Sequence, residues 1–106
     1  MKLLWKNVAM LGLLLVSSAT GAEITERAVA YQDGDTALEG YVAMPKDAEG
    51  KLPVVLVVHQ WMGLTDYEKM RCKQLAELGY LAFAVDIYGK GVRPKDRSEA
   101  GAQAGK

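Results

Sequence analysis

The sequence predicts an α/β fold, with a parallel pair of strands joined by a helix and preceded by a β-hairpin. Three observations support this class. The run Val54–Val58 is apolar without alternation, which is typical of a strand buried on both faces. The segment Thr65–Leu78 carries helix-start signals, and Leu81–Val85 is a second short apolar run. Strand, helix and strand in this order form a βαβ unit.

The hairpin is predicted over Glu26–Met44. Apolar residues alternate with small or polar ones on both sides of Asp33-Gly34. This dipeptide is a strong hairpin signal, because glycine tolerates the positive φ that a tight turn needs. The polar segment Pro45–Lys51 then reads as the loop that leads into the first buried strand.

The helix is predicted to begin with a capping box. Thr65 and Glu68 have the spacing at which a threonine caps a free amide and a glutamate reaches back. Gly79 is predicted to end the helix. The residues expected on the buried face of the helix are Tyr67, Met70, Leu75 and Leu78. The C-terminal stretch 96–106 contains three Ala and one Glu, which favour helix, although two glycines weaken it.

Composition excludes several classes of function. The 106 residues allow one domain, and 13 basic against 13 acidic side chains offer no electrostatic attraction for nucleic acid. A single cysteine, Cys72, excludes an internal disulfide, and with only one histidine no zinc site of Cys and His is feasible. This count leaves carboxylate metal sites open, but the sequence has no EF-hand pattern. The prediction is no cofactor and no metal.

Residues 1–22 are predicted to be a secretory signal peptide, which leaves residues 23–106 as the folded domain. Lys2 and Lys6 form a basic start, Val8–Val16 an apolar core, and Ser17–Ala22 a small-residue tail. The apolar core is far shorter than the roughly 20 residues that cross a bilayer, so no stable membrane anchor is expected after cleavage. Cleavage is predicted after Ala22, with Ala19 as the alternative, and the protein is expected to be exported to the periplasm or secreted.

Local motifs supply no complete catalytic centre. There is no glycine-rich phosphate loop and no G-x-S-x-G nucleophile elbow. Ser98 has no base nearby in sequence, and Cys72 lies inside the predicted helix rather than at a turn. His59 ends a strand with no partner acid in the expected order, so a hydrogen-bonded structural histidine is the favoured interpretation.

Two segments carry a family resemblance. V-V-H-Q-W-M-G-L (57–64) and A-E-L-G-Y-L-A-F-A-V-D-I-Y-G-K-G-V-R-P (76–94) resemble the dienelactone hydrolase family of the α/β-hydrolase fold. The similarity runs from about Glu26 to the C-terminus, and the two segments at this spacing are far more specific together than either alone. The resemblance implies an α/β-hydrolase-like sheet preceded by the hairpin, without the C-terminal half of the fold.

The resemblance also assigns roles to loop residues. The backbone N–H of Trp61 corresponds to an oxyanion-hole donor, which would stabilise charge developing on an ester carbonyl. Gln60 stands where the family has a glutamate that contacts the nucleophile, so it could orient but not activate that group. Lys90 and Arg93 are the candidates for holding a substrate carboxylate. Asp86 is expected to shape its loop rather than to take part in catalysis.

The resemblance further implies that the Cys or Ser nucleophile and its Asp and His partners lie beyond Lys106. The function predicted is hydrolysis of small carboxylic esters or lactones by an exported enzyme of this family, with this chain alone inactive. One alternative is a non-catalytic exported module that binds a partner, or a second copy of itself, through an open edge of the sheet. Another is an incomplete gene product that folds poorly. Both alternatives are considered because the strand Val54–Val58 would lack a neighbouring strand on one side.

Overall fold

The computed structural model describes residues 23–106, and the predicted signal peptide lies outside them. Strands β1 (Ile24–Asp33) and β2 (Thr36–Pro45) form the antiparallel hairpin. Asp33 pairs with Thr36, so the turn consists of Gly34 and Asp35, and Gly34 has a φ of 56°. The predicted hairpin is confirmed, and its strands extend slightly beyond the predicted limits.

The parallel pair lies beside this hairpin. Strand β3 (Val54–Val58) pairs with β4 (Leu81–Val85) in parallel, and β4 pairs with β2 in the antiparallel sense. The order in the four-stranded sheet is β1-β2-β4-β3, so β3 is an edge strand within the described residues. The bounds predicted for both strands are confirmed.

Helix α1 (Asp66–Glu77) connects the parallel strands and has the predicted caps. The Thr65 amide donates to Glu68 Oε2 at 2.8 Å, and the Thr65 hydroxyl accepts from the Tyr67 amide at 3.3 Å. At the other end Gly79 has a φ of 103°. Its amide donates to Ala76 and the next amide, that of Tyr80, donates to Leu75, which is the bond pattern of a Schellman motif.

The face that α1 buries differs from the predicted one. Glu68, Cys72 and Ala76 are buried, while the predicted core residues Tyr67, Met70 and Leu78 are at least 42% exposed. Of the predicted face, Leu75 packs against the core. The reason is steric: the strand residues under the helix are small, with Ala82 and Ala84 fully buried. Small side chains on both elements allow close packing, and the capping role of Glu68 turns that residue inward.

The core lies between α1 and one face of the sheet. Its buried members are Tyr41, Ala43, Leu64, Cys72, Ala76, Ala82 and Ala84. The Tyr41 hydroxyl donates to Glu26 Oε2 at 2.5 Å, and Lys73 Nζ lies 3.2 Å from the same oxygen, so the hairpin and the helix are also joined by polar contacts. The hydrogen bonds from Tyr41 and then Lys73 lower the pKa of Glu26.

The opposite face of the sheet contradicts one sequence expectation. Val54–Val58 was expected to be buried on both sides, yet Val54, Leu56 and Val58 are about 60% exposed. Helix α1 covers only the face that Val55 and Val57 share, and no helix in residues 23–106 covers the other. The apolar run is therefore correct as a strand signal but wrong as an indicator of two-sided burial here.

A second helix, α2 (Arg97–Ala104), ends the chain, which agrees with the helix-favouring composition of this stretch. Asp96 caps it, since its Oδ1 accepts from the Glu99 amide at 2.9 Å. Ala100 is fully buried. Among residues 23–106, neither helix is long and apolar enough to cross a membrane.

Candidate active-site loops

Two loops follow the carboxyl ends of the parallel strands. The β3 loop comprises residues 59–65 and the β4 loop residues 86–96. Because β3 and β4 are parallel neighbours, both loops leave the same edge of the sheet. In open α/β sheets ligands bind in the crevice outside this edge, and both loops that contain the predicted site residues begin there.

The β3 loop is a tight turn whose two central amides, those of Trp61 and Met62, have no acceptor within residues 23–106. The Gly63 amide donates to the Gln60 carbonyl at 3.0 Å, with Trp61 and Met62 as the central residues of the turn. Gly63 has a φ of 87°, which favours glycine. Within residues 23–106 the Trp61 amide has no hydrogen-bond acceptor. It can therefore donate to an oxygen of a bound molecule.

His59 joins the two loops. The Ile87 amide donates to His59 Nε2 at 3.2 Å, so this nitrogen must be the unprotonated one. The proton then lies on Nδ1, which donates to the Gln60 carbonyl at 2.7 Å. His59 is 9% exposed, and its ring meets that of Tyr88 edge-on, with 4.7 Å between ring centroids. The prediction of a structural, hydrogen-bonded histidine is confirmed.

Tyr88 is a second link between the loops, and the sequence interpretation missed it. Its hydroxyl donates to the Trp61 carbonyl at 2.8 Å, while its ring packs on His59. The loops are also in close steric contact, since a Cβ added to Gly63 would lie 3.3 Å from the Val92 carbonyl oxygen. The only sequence signal for Tyr88 is an aromatic residue three positions after the end of a strand.

Asp86 organises the β4 loop, as predicted. The side chain is almost fully buried, and its Oδ1 accepts from the amides of Tyr88 and Gly89, each at 3.1 Å. Its Oδ2 accepts from the Glu39 amide at 3.0 Å, which fixes the loop to β2. The Tyr31 hydroxyl donates to the Asp86 carbonyl at 2.6 Å and accepts from the Asp86 amide at 2.8 Å. Every polar group of Asp86 is thus used for structure.

The two predicted carboxylate-binding residues lie in different places. Lys90 Nζ is 3.5 Å from Glu39 Oε2, and the Lys90 amide donates to the Ala37 carbonyl at 2.8 Å, so this residue is directed to β2. The Arg93 side chain instead lies beside the β3 loop, with its Cδ 3.6 Å from the position of a Cβ on Gly63. The structure therefore brings Arg93, rather than Lys90, next to the turn that contains Trp61.

Two clefts adjoin the β3 loop. One of about 200 Å³ is lined by Gln60, Met62, Gly63, Thr65, Tyr67 and Glu68. A second of about 310 Å³ is lined by Met62, Leu64, Thr65, Asp66, Lys69, Arg93 and Pro94. The first cleft includes the predicted orienting residue Gln60, and the second includes Arg93.

The titratable groups near these clefts serve the fold. Burial raises the pKa of Glu68, but hydrogen bonds from the Thr65 hydroxyl and amide outweigh it, so the pKa is lowered overall. Burial, then the nearby charge of Glu68, raises the pKa of Cys72 to about 11, and its side chain is fully buried. Ser98 is exposed on α2. Residues 23–106 contain no cluster of three or more metal-ligating side chains.

Comparison with known proteins identifies the class to which these loops belong. Residues 38–106 match the model of the dienelactone hydrolase family. A curated protein of Escherichia coli strain K12, named "Putative carboxymethylenebutenolidase", is 39% identical over 59 residues, which are 56% of this chain and 22% of that protein.

Solved structures agree with the sequence match. A structure named m3DLH superposes with a TM-score of 0.72 at 32% identity, covering 76% of this chain and 33% of that one. A dienelactone hydrolase-like promiscuous phosphotriesterase from metagenomic libraries superposes with a TM-score of 0.68 at 33% identity, covering 74% of this chain and 33% of its own. The chain therefore spans about a fifth to a third of the length of these relatives.

Proposed function

Because the chain belongs to the dienelactone hydrolase family, we propose that it forms the oxyanion-hole side of a hydrolase acting on carboxylic esters or lactones. The observation that carries this proposal is the Trp61 amide, which has no acceptor within residues 23–106 and lies in a turn at the carboxyl end of a parallel strand. A fixed amide in this position can stabilise the negative charge that develops on a carbonyl oxygen during acyl transfer.

Rigidity of the amide supports the same role. An oxyanion donor is effective when it is held in place before the reaction, because no reorganisation is then needed. Here the carbonyl of Trp61 accepts from Tyr88, and the preceding carbonyl, that of Gln60, accepts from both His59 and Gly63. The peptide groups on both sides of Trp61 are thus held by hydrogen bonds.

The chain alone is proposed to be inactive, with a Cys or Ser nucleophile supplied by sequence beyond Lys106. Nucleophilic catalysis needs a hydroxyl or thiol beside a base. In residues 23–106 the single histidine has both ring nitrogens engaged, and the pKa of the buried Cys72 is raised. Hydrolysis of a simple aryl ester by the purified 106-residue chain, above a heat-treated control, would contradict this part of the proposal.

A chimaera tests the oxyanion role directly. Residues 23–106 would replace the corresponding third of the m3DLH chain, and ester hydrolysis would be measured. Trp61→Pro removes the amide hydrogen at a turn position that proline favours, so kcat should fall by about 10²–10³-fold. Trp61→Phe retains the amide and is the matched control, with little change in kcat expected. Equal activity of the two variants would disprove the role of the Trp61 amide.

Arg93 is proposed to contact the carboxylate of an anionic substrate, with Lys90 as a secondary contributor. The position of Arg93 in the cleft beside the β3 loop supports this order. Lys90 would first have to leave Glu39, which costs little because the pair is largely exposed. In the chimaera, Arg93→Gln should raise KM for a substrate with a carboxylate and leave KM for a neutral ester unchanged. Lys90→Gln should have the smaller effect.

Export is the proposed localisation, on the basis of the basic start, the apolar core and the small-residue tail of residues 1–22. Expression with the native leader in a bacterial host, followed by fractionation and N-terminal sequencing, tests it. The expected result is an exported chain that begins at Glu23. A cytoplasmic chain that retains Met1 or Lys2 would contradict it.

A second candidate function is a non-catalytic binding module, and the specific observation that favours it is the side of β3 that no strand within residues 23–106 pairs with. The chimaera also discriminates between these candidates. A folded chimaera without hydrolysis, together with a soluble native chain of defined oligomeric state, would favour the binding module.

A further inference from the structure

Tyr88 holds the tip of the β3 turn through a single hydroxyl group. This hydroxyl donates to the Trp61 carbonyl at 2.8 Å, and the ring packs edge-on against His59. The Trp61 carbonyl belongs to the peptide that joins Trp61 to Met62, and within residues 23–106 it accepts no other hydrogen bond. The position of this peptide relative to the β4 loop therefore depends on one bond.

The turn of residues 60–63 moves as one unit, because a backbone hydrogen bond between its ends closes it. Two hydrogen-bonded links within residues 23–106 join it to the β4 loop. His59 provides the first, at the base of the turn, where its ring accepts from the Ile87 amide and donates to the Gln60 carbonyl. Tyr88 provides the second, at the tip. Without the second link the turn is free to rock about the first, and the Trp61 amide moves with it.

Asp86 fixes the backbone from which the Tyr88 side chain extends. Its Oδ1 accepts from the Tyr88 amide and from the Gly89 amide, each at 3.1 Å. The chain is also tightly folded here, since Gly89 has a φ of 137° and a Cβ added to it would lie 3.0 Å from Val92 Cγ2. The Asp86 carboxylate therefore determines where the Tyr88 hydroxyl can reach.

Asp86 is held in turn by the N-terminal hairpin. The β2–β4 pairing of Tyr41 with Ala84, continued by two residues, places Glu39 opposite Asp86. The ladder has ended at this point, and the Glu39 amide donates to Asp86 Oδ2 at 3.0 Å instead. The Tyr31 hydroxyl, from β1, accepts from the Asp86 amide and donates to the Asp86 carbonyl. A strand that is not a neighbour of β4 in the sheet thus supports the start of its loop.

We propose that Tyr88 is a positioning residue for the Trp61 amide, and that Asp86 and Tyr31 extend this support to the hairpin. The inference rests on the proposed function, because it concerns the donor that this function requires. An oxyanion donor stabilises charge that appears only in the transition state, so its exact position affects kcat more than substrate binding. A misplacement of about 1 Å can lower a rate by about 10²-fold.

Tyr88→Phe in the chimaera with m3DLH is the first test. Phenylalanine keeps the ring against His59 and removes only the hydroxyl. The value of kcat should fall about three- to tenfold, which corresponds to the net free energy of one hydrogen bond, with KM changed by less than about twofold. Tyr80→Phe is the matched control, because Tyr80 precedes the strand that Tyr88 follows and is also half-buried. This control should match the unmodified chimaera.

A double-mutant cycle separates positioning from a general effect on the fold. In the Trp61→Pro chimaera the donor is already absent, so adding Tyr88→Phe should lower kcat by less than about twofold. A purely structural role would give the same fall in both backgrounds. Tyr31→Phe keeps the ring contact with Phe83 and removes the hydroxyl that holds Asp86. It should give a smaller fall in kcat that is likewise lost with Trp61→Pro.

Nitrogen-15 relaxation of the 106-residue chain provides a test that does not depend on hydrolysis or on the folding of the chimaera. The Trp61 and Met62 amides should be as rigid as those of β3, with order parameters of about 0.85. In Tyr88→Phe both values should fall toward about 0.6, the range of a flexible backbone. In Tyr80→Phe they should not change.

The outcomes distinguish this inference from the proposed function. Unchanged kcat in Tyr88→Phe, where Trp61→Pro is impaired, would overturn the inference and leave the proposed function intact. Equal falls in both backgrounds, or an equally rigid Trp61 amide in Tyr88→Phe, would also overturn it. Equal activity of Trp61→Pro and Trp61→Phe would overturn both. A loss of kcat that requires the Trp61 amide, together with greater mobility of that amide, would support the inference.

Discussion

His59→Phe is the substitution that most directly tests how the two loops are held together. Phenylalanine retains a flat ring that can stay against Tyr88, but it removes both hydrogen bonds of the imidazole. Each such bond contributes a net 0.5–1.5 kcal/mol on typical scales, so two give about 2 kcal/mol. The Gln60 carbonyl keeps its bond from Gly63, whereas the Ile87 amide is left without its acceptor.

The assay is urea unfolding of the purified chain followed by circular dichroism. A loss of about 2 kcal/mol corresponds to roughly 10 °C in Tm for a domain of this size. His59→Gln should recover part of the loss, because its side-chain carbonyl can accept from the Ile87 amide. Nitrogen NMR of the native imidazole should show the proton on Nδ1. A proton on Nε2, or a His59→Phe variant within 0.5 kcal/mol of the native chain, roughly the scatter of a neutral substitution, would refute the reasoning.

Three further results are expected. In urea unfolding, Gly63→Ala should destabilise the chain by about 1–2 kcal/mol more than Gly50→Ala. Both glycines have a positive φ, but only Gly63 has a close neighbour, 3.3 Å from the added Cβ. Equal losses of stability would contradict this. The free energy of unfolding should fall as the pH drops below about 4.3. The pKa of Glu68 is lowered in the folded chain, so its carboxylate stabilises the fold only while it is ionised. Glu68→Gln should therefore flatten this part of a plot of the urea midpoint against pH. Cys72 of the native chain should resist iodoacetamide at pH 8 and react only after unfolding, because its thiol is buried with a pKa of about 11. Rapid alkylation of the native chain would contradict this and show that the core under α1 opens readily.

The elements with strong local signals were predicted closely. The bounds of β3 and β4 agree because short apolar runs between turn residues identify strands wherever they pack. The caps of α1 agree because a threonine, a glutamate three residues later and a glycine at the end act through bonds within a few residues. The structural interpretation of His59 was correct, although its partner Ile87 could not be named from sequence.

The buried face of α1 shows where local patterns are insufficient. Large apolar residues suggested one face, yet the helix packs through Cys72 and Ala76. That choice depends on the alanines of β4 and β2 beneath the helix, which are distant in sequence. The roles of Lys90 and Arg93 remain predictions. The sequence also gave no sign that their side chains lie apart, because Lys90 is drawn away by Glu39, a residue of β2.

The sequence by itself determined the family, the order of the elements, and the turn that contains the Trp61 amide, because these depend on neighbours along the chain. Tertiary structure decided the rest. It placed Tyr88 and His59 between the loops, turned Lys90 toward Glu39, and paired only one side of β3 within residues 23–106. The physical reason is that pairing partners and packing faces are chosen by residues far apart in sequence, and a strand looks the same locally whether or not its edge is paired.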